Sequence, residues 1–137
     1  MKRATLIVLA ATLCLMLELG CGGHKKVDLT PATSVPAAMG HAEITHDKNG
    51  NTLVDLKVHH LAKPENLTPP ASAYVVWFQP AGQPPQNQGV LRVDSDLNGE
   101  FKTTTPLKNF DIFVTAEPGP TVTAPTGSEI MRQHVSG

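Results

Sequence analysis

Ala73-Tyr74-Val75-Val76-Trp77-Phe78-Gln79 is the stretch that decides the fold. β-Branched and aromatic residues fill it, and Pro69-Pro70 and Pro80 bound it, as expected of a strand. In an extended chain Tyr74, Val76 and Phe78 point to one side, Val75 and Trp77 to the other. Both sides are apolar, so the strand belongs in the middle of a sheet, under a second layer. It holds the single Tyr, the single Trp and one of the four Phe of the chain, so the core assembles around it. A buried helix segment shares this composition, but the short length and β-branching favour a strand.

Outward from this segment, short strand patterns alternate with turn signals. His41 to His46 alternates weakly, with Ala42 and Ile44 on one side, and Asp47-Lys48-Asn49-Gly50-Asn51 is a hairpin turn. Thr52 to Val58 places Val54, Leu56 and Val58 inward and Asp55 and Lys57 outward. Ala62 to Pro70 is a loop, and Pro80 to Gln88 the longest loop. Val90 to Asp94 follows, then a second hairpin turn at Asp96-Leu97-Asn98-Gly99 and a return over Glu100 to Thr104. Phe110 to Ala116 is a second strongly apolar strand. Glu117 to Gly127, with Pro118, Pro120 and Pro125, is excluded from a central strand, and Glu129 to Val135 closes the chain as an edge strand. Six or seven such strands predict an all-β domain, an antiparallel immunoglobulin-like β-sandwich. Val75, Val76, Trp77, Leu91, Val93, Phe101, Ile112 and Val114 are its expected core, with Asp55, Lys57 and Lys102 exposed.

The 137 residues suffice for one domain. Met1-Lys2-Arg3 followed by the uncharged apolar run Ala4 to Leu17 reads as a signal peptide over residues 1–20. The run is too short for a comfortable membrane span, which takes about 20 apolar residues. Leu17-Glu18-Leu19-Gly20-Cys21 resembles the lipobox of bacterial lipoproteins, although Glu18 and Leu19 depart from the family's preferred residues. The resemblance implies cleavage before Cys21, acyl chains (palmitate among them) on that residue, and an address on the bacterial cell envelope, facing the periplasm or exterior. An ordinary signal peptide or an uncleaved anchor is the alternative. Cys14 lies inside the signal, so a mature chain keeps Cys21 alone and forms no internal disulfide.

Residues 21–38 read as the lipidated cysteine and a flexible tether, spanning at most about 55 Å at roughly 3.3 Å per residue. The folded domain is then residues 39–137. Of 11 basic and 12 acidic residues, Lys2, Arg3 and Glu18 lie in the signal, leaving nine against eleven. That balance predicts no affinity for nucleic acid or for anionic lipid, so membrane attachment would rest on the acyl chains.

Six histidines raise the question of copper or zinc. His41, His46, His59 and His60 lie in or beside the first hairpin, where His46 and His59 can approach one another, and would form a capture site. Solvated surface histidines are the plainer reading. A blue-copper centre needs a cysteine ligand that the domain lacks. No Gly-x-Ser-x-Gly, no His-Glu-x-x-His and no phosphate-cradling glycine loop is present, and Asp94 and Asp96 begin no complete calcium loop. The sequence therefore predicts a non-enzymatic protein without cofactors. Proline-rich loops, with φ already fixed, are its candidate binding elements: Pro80, Gly82 and Pro84 in one, Glu117, Pro118, Pro125, Thr126 and Gly127 in the other. They would share one end of the domain if the two apolar strands preceding them run parallel, and lie at opposite ends if antiparallel. The alternative role for the prolines is to keep an edge strand from pairing.

Tyr74-Val75-Val76-Trp77, the strand start Gln88-Gly89-Val90-Leu91, and Val114-Thr115-Ala116-Glu117-Pro118 followed by Pro125-Thr126-Gly127 occur in that order. Together they resemble the extracytoplasmic C-terminal domain of the anti-sigma-K factor family, over about residues 73–130. The family's cytoplasmic helical domain and membrane span have no counterpart here, so the resemblance implies an outer sensory or scaffold module, with an envelope protein as its partner. Asp96-Leu97-Asn98-Gly99-Glu100-Phe101 is similar to a hairpin of carboxypeptidase regulatory-like domains, which are also non-catalytic β-sandwiches.

Overall fold

The structure, a computed structural model, describes residues 23–137. The signal segment and Cys21 lie outside the described residues. Among those described, no helix is long and apolar enough to cross a membrane. Eight antiparallel strands make up the domain: β1 (Lys25–Pro31), β2 (Met39–His46), β3 (Thr52–His59), β4 (Ala73–Pro80), β5 (Gln86–Val93), β6 (Gly99–Thr105), β7 (Asn109–Glu117) and β8 (Ser128–Ser136). They close into a barrel in the order β1-β2-β3-β6-β5-β4-β7-β8.

The barrel corrects the expected sandwich, and two strands are the reason. β1 pairs with β2 through Lys25 to Leu29, then with β8 through Thr30↔Arg132 and Pro31↔Met131. β5 pairs with β4 from Phe78↔Gln86 to Tyr74↔Leu91, then with β6 through Arg92↔Glu100 and Val93↔Gly99. Each passes from one sheet to the other and stitches an edge that a sandwich leaves open.

β1 also corrects the tether. Lys25 to Pro31 is a strand, and Leu29, Val35 and Ala38 are buried in the main core, so the folded domain begins at Lys25 rather than Met39. Val27 and Leu29 alternate with Lys26 and Asp28, the period-2 signal of a strand with one face inward. β8 is correspondingly no edge strand, because β7 and β1 flank it. The loop expected over Pro80–Gln88 is shorter, residues 81–85, since β4 runs to Pro80 and β5 starts at Gln86. The longest connection runs instead from residue 60 to 72 and contains a 3-10 turn at Pro64–Asn66.

The two turns of β2–β3 and β5–β6 share one construction. Asp47 Oδ1 accepts from the backbone N–H of Asn49 (2.8 Å) and Asn51 (2.9 Å), and Asp94 Oδ1 accepts from those of Asp96 (2.8 Å) and Asn98 (2.9 Å). Gly50 takes the positive φ of the first turn, but Leu97 takes it in the second (φ 62°). The second turn therefore spans Asp94–Asn98, its positive φ falling two residues before the glycine of its Asn-Gly pair. Gly99 opens β6, where a Cβ would stand 2.8 Å from the Arg92 carbonyl oxygen.

Alternation along the strands sorts two cores. Tyr74, Val76 and Phe78 fill the barrel interior with Ile44, Leu56, Ile112 and Val114. Val75, Trp77 and Phe113 form a separate cluster on the outside, also buried. Of the expected core, Val93 and Phe101 are only partly buried. Asp55 and Lys57 are half-buried rather than exposed, because Lys57 meets Glu43 (3.9 Å) and Asp55 (3.6 Å), and Lys102 meets Asp55 (3.2 Å) and Glu100 (2.9 Å), in a ladder across the outer face.

Candidate functional site

What covers the outer cluster is the loop between β7 and β8. Residues 118–127 leave the far rim of the barrel, opposite the rim where β1 begins, and fold back over the sheet. Val122 packs on Val75, Trp77 and Phe113. Asn87 Nδ2 donates to the carbonyls of Pro120 (3.1 Å) and Val122 (2.8 Å), tying the loop to β5. Beside it the Arg132 guanidinium lies 4.0 Å over the Phe113 ring, held by Glu129 and Asp111. Asp111 also bonds His134 Nδ1 at 2.8 Å; that bond and the Arg132 charge hold its carboxyl below the usual range against burial.

The loop's return is clamped by Glu117, which is fully buried. Its Oε1 accepts from the Thr115 hydroxyl (2.6 Å) and the Thr126 N–H (3.0 Å), and its Oε2 from the Thr126 hydroxyl (2.5 Å) and the Gly127 N–H (3.0 Å). Thr115 Oγ1 accepts in turn from Trp77 Nε1 at 2.7 Å. Burial pushes the Glu117 pKa up, but the Thr115 and Thr126 hydroxyls and the two backbone donors outweigh it, and the net shift is down. Gly127 has no room for a side chain: a Cβ would meet the Ala116 carbonyl oxygen at 1.6 Å. Four donors to one ionised carboxylate leave it no lone pair directed at a substrate. Glu117 is a structural anchor.

Next to the clamp a cleft of about 920 Å³ opens on the far rim. Three segments wall it: Ser34–Ala37 after β1, residues 60–71 after β3, and the clamp itself with Pro118, Thr126, Gly127 and Ile130. Its surface is mostly apolar, through Val35, Pro36, Leu67, Pro69 and Pro70, with Ser34, Asn66 and His60 among its polar groups. Tyr74 supports the floor by donating to the Ala62 carbonyl at 2.6 Å; burial, with Glu65 nearby, pushes its pKa up to about 12.

The expected binding elements separate. β4 and β7 are antiparallel neighbours, with Ala73↔Glu117 at one end and Pro80↔Phe110 at the other. Glu117, Pro118, Thr126 and Gly127 therefore line the far-rim cleft, and Pro125 lies in the folded-back loop. Pro80, Gly82 and Pro84 sit at the opposite rim in a tight turn, with Gly82 at φ 69° and the Gln83 N–H donating to the Pro80 carbonyl. They cannot form one surface. Of the four histidines the structure brings together His41 and His59, not the expected His46 and His59. His41 and His59 stack with centroids 6.0 Å apart, and burial together with Lys26 and His59 lowers the His41 pKa. His46 pairs with Thr52 at the other end of the hairpin, seven rungs from the Met39↔His59 pair, and His60 faces the cleft. Among the described residues no group of three metal-binding side chains converges.

The sequence reading missed Ser34–Ala37 and residues 60–71 as cleft walls. The signal each carried was proline: Pro36 in the first, and Pro64, Pro69 and Pro70 in the loop after β3. No family model, curated protein or solved structure matches the chain.

Proposed function

We propose that the chain is a non-enzymatic envelope lipoprotein, held to the membrane by acyl chains on Cys21, whose barrel is a binding or sensing module. The far-rim cleft is its binding site. The cleft carries this reading: its volume lies in the range of ligand sites (about 300–1,000 Å³), and its lining is mostly apolar with a few polar groups. Its one buried carboxylate, Glu117, is spent on holding the loop, which favours recognition over acid–base chemistry. The clamp also gives a physical role to the Glu117-Pro118 … Thr126-Gly127 pattern on which the resemblance to anti-sigma-K outer domains rests. On this reading the occupant is a segment of another envelope protein.

Two measurements test it. Full-length protein carrying Ser34→Arg and Asn66→Arg, both exposed positions in the cleft wall, loses cross-linked partners that wild type captures in envelope preparations. Undiminished capture removes the cleft as the site. Metabolic labelling with an alkyne fatty acid marks wild type and not Cys21→Ala; equal label in both removes the lipoprotein reading.

A further inference from the structure

The near-neutral total charge conceals a separation along the barrel axis. The rim where β1 begins carries Lys25, Lys26, Lys48 and Lys108, all exposed. No carboxylate lies within salt-bridge distance of any of them among the described residues. They form one arc. Lys25 Nζ donates to the Ser136 carbonyl (2.9 Å) and hydroxyl (2.8 Å), Gly137 rests on Lys108, and the Lys108 ammonium reaches the Asp47–Asn51 turn beside Gly50, next to Lys48. Of the acidic side chains near this rim, Asp111 pairs with Arg132, and Glu43, opposite Lys26, pairs with Lys57. Asp47 is bonded within its own turn but keeps its charge close to Lys108, so the four lysines outnumber the carboxylates left without a cation. The far rim is not basic: Glu65, Asp94 and Asp96 stand there with Lys63 and Arg92, and Glu100 pairs with Lys102.

We infer that the lysine rim docks on an anionic phospholipid surface, so that the barrel stands on the membrane with its cleft facing away. Two observations converge on this occupant. The unpaired cations complement phosphate headgroups, and the chain enters the barrel at that rim, at Lys25, only four residues after Cys21. The loss of the long tether to β1 leaves a reach of at most about 13 Å between that cysteine and the first strand, at roughly 3.3 Å per residue. The rim therefore stays within reach of the headgroups. Each lysine near an anionic surface multiplies attachment about fivefold at physiological salt, and four bring several-hundred-fold at most. The inference replaces the expectation, drawn from net charge, that anionic lipid plays no part.

It rests on the membrane address proposed above, and one experiment separates the two. Mature full-length protein is mixed with vesicles of phosphatidylcholine alone or enriched in phosphatidylglycerol. It is floated and then acetylated for lysine footprinting by mass spectrometry. The expected result is flotation with both, with Lys25, Lys26, Lys48 and Lys108 modified several-fold more slowly on the anionic vesicles. Lys57, Lys63 and Lys102 are unchanged, and high salt removes the difference. Flotation with both lipids but equal lysine rates overturns the docking and leaves the anchor standing. Flotation with anionic vesicles alone supports the docking and overturns the anchor. Flotation with neither overturns both.

Discussion

Replacing Glu117 by Ala tests whether one carboxylate holds the outer layer of the barrel in place. The substitution removes the acceptor for the Thr115 and Thr126 hydroxyls and the Thr126 and Gly127 N–H groups. Hydrogen bonds to a charged group contribute about 1.5–3 kcal/mol each, but they are not additive, and burying the carboxylate offsets part of them. Thr126 and Gly127 are exposed enough for water to replace the lost acceptor. A net loss of about 3 kcal/mol follows, against the roughly 5–15 kcal/mol of a domain. With a urea dependence near 1–2 kcal/mol per M, the midpoint falls by about 1.5–3 M. The single tryptophan reports the cause: Trp77 is wholly buried beneath the loop, and releasing the loop shifts its emission to the red even in folded protein. The folded-state pKa of Glu117 lies below its ordinary value of 4.5, so its contribution is complete above that value and is lost as pH falls through the folded pKa. Wild type therefore loses stability on acidification below about pH 4.5 more steeply than Glu117→Gln. A midpoint shift under about 0.3 M for Glu117→Ala, with Trp77 emission unchanged, refutes the clamp.

Gly127→Ala forces the Ala116 carbonyl aside and lowers stability by about 3 kcal/mol or more, read as a drop in the melting temperature. Trp77→Ala costs about 3–5 kcal/mol; an unchanged urea midpoint would mean that the outer cluster does not contribute to stability. Leu97→Gly relieves a positive φ at a partly exposed side chain and raises stability by about 0.5 kcal/mol, the left-handed strain outweighing the added chain entropy. The single tyrosine, Tyr74, ionises near pH 12 in ultraviolet titration of the folded protein, and stability declines as pH rises from its ordinary 10 to that value. Ionisation at pH 10 in folded protein would contradict its burial against Ala62.

The strands themselves were written in local pattern. Alternation placed Val54, Leu56, Ile112 and Val114 inside, and the double-sided apolar run Ala73–Gln79 demanded cover on both faces, because side-chain direction in a strand depends only on parity. The sequence alone also showed a basic start followed by an apolar run before Cys21, and two hairpin turns, although it started the second turn two residues late. Closure of the barrel was not legible. It depends on Lys25–Pro31, whose weak Val27/Leu29 alternation gains meaning only when β2 and β8 offer it two edges. Nor did the sequence show that the second layer over Trp77 is an irregular proline-containing loop, since Val122 and Glu117 act through contacts formed after the chain turns back on itself. The cleft joins segments around residues 35, 65 and 120, and the lysine arc joins residues 25, 48 and 108. Positions so distant along the chain become neighbours only through strand order, and strand order is set by which edges remain to be paired once the whole barrel assembles.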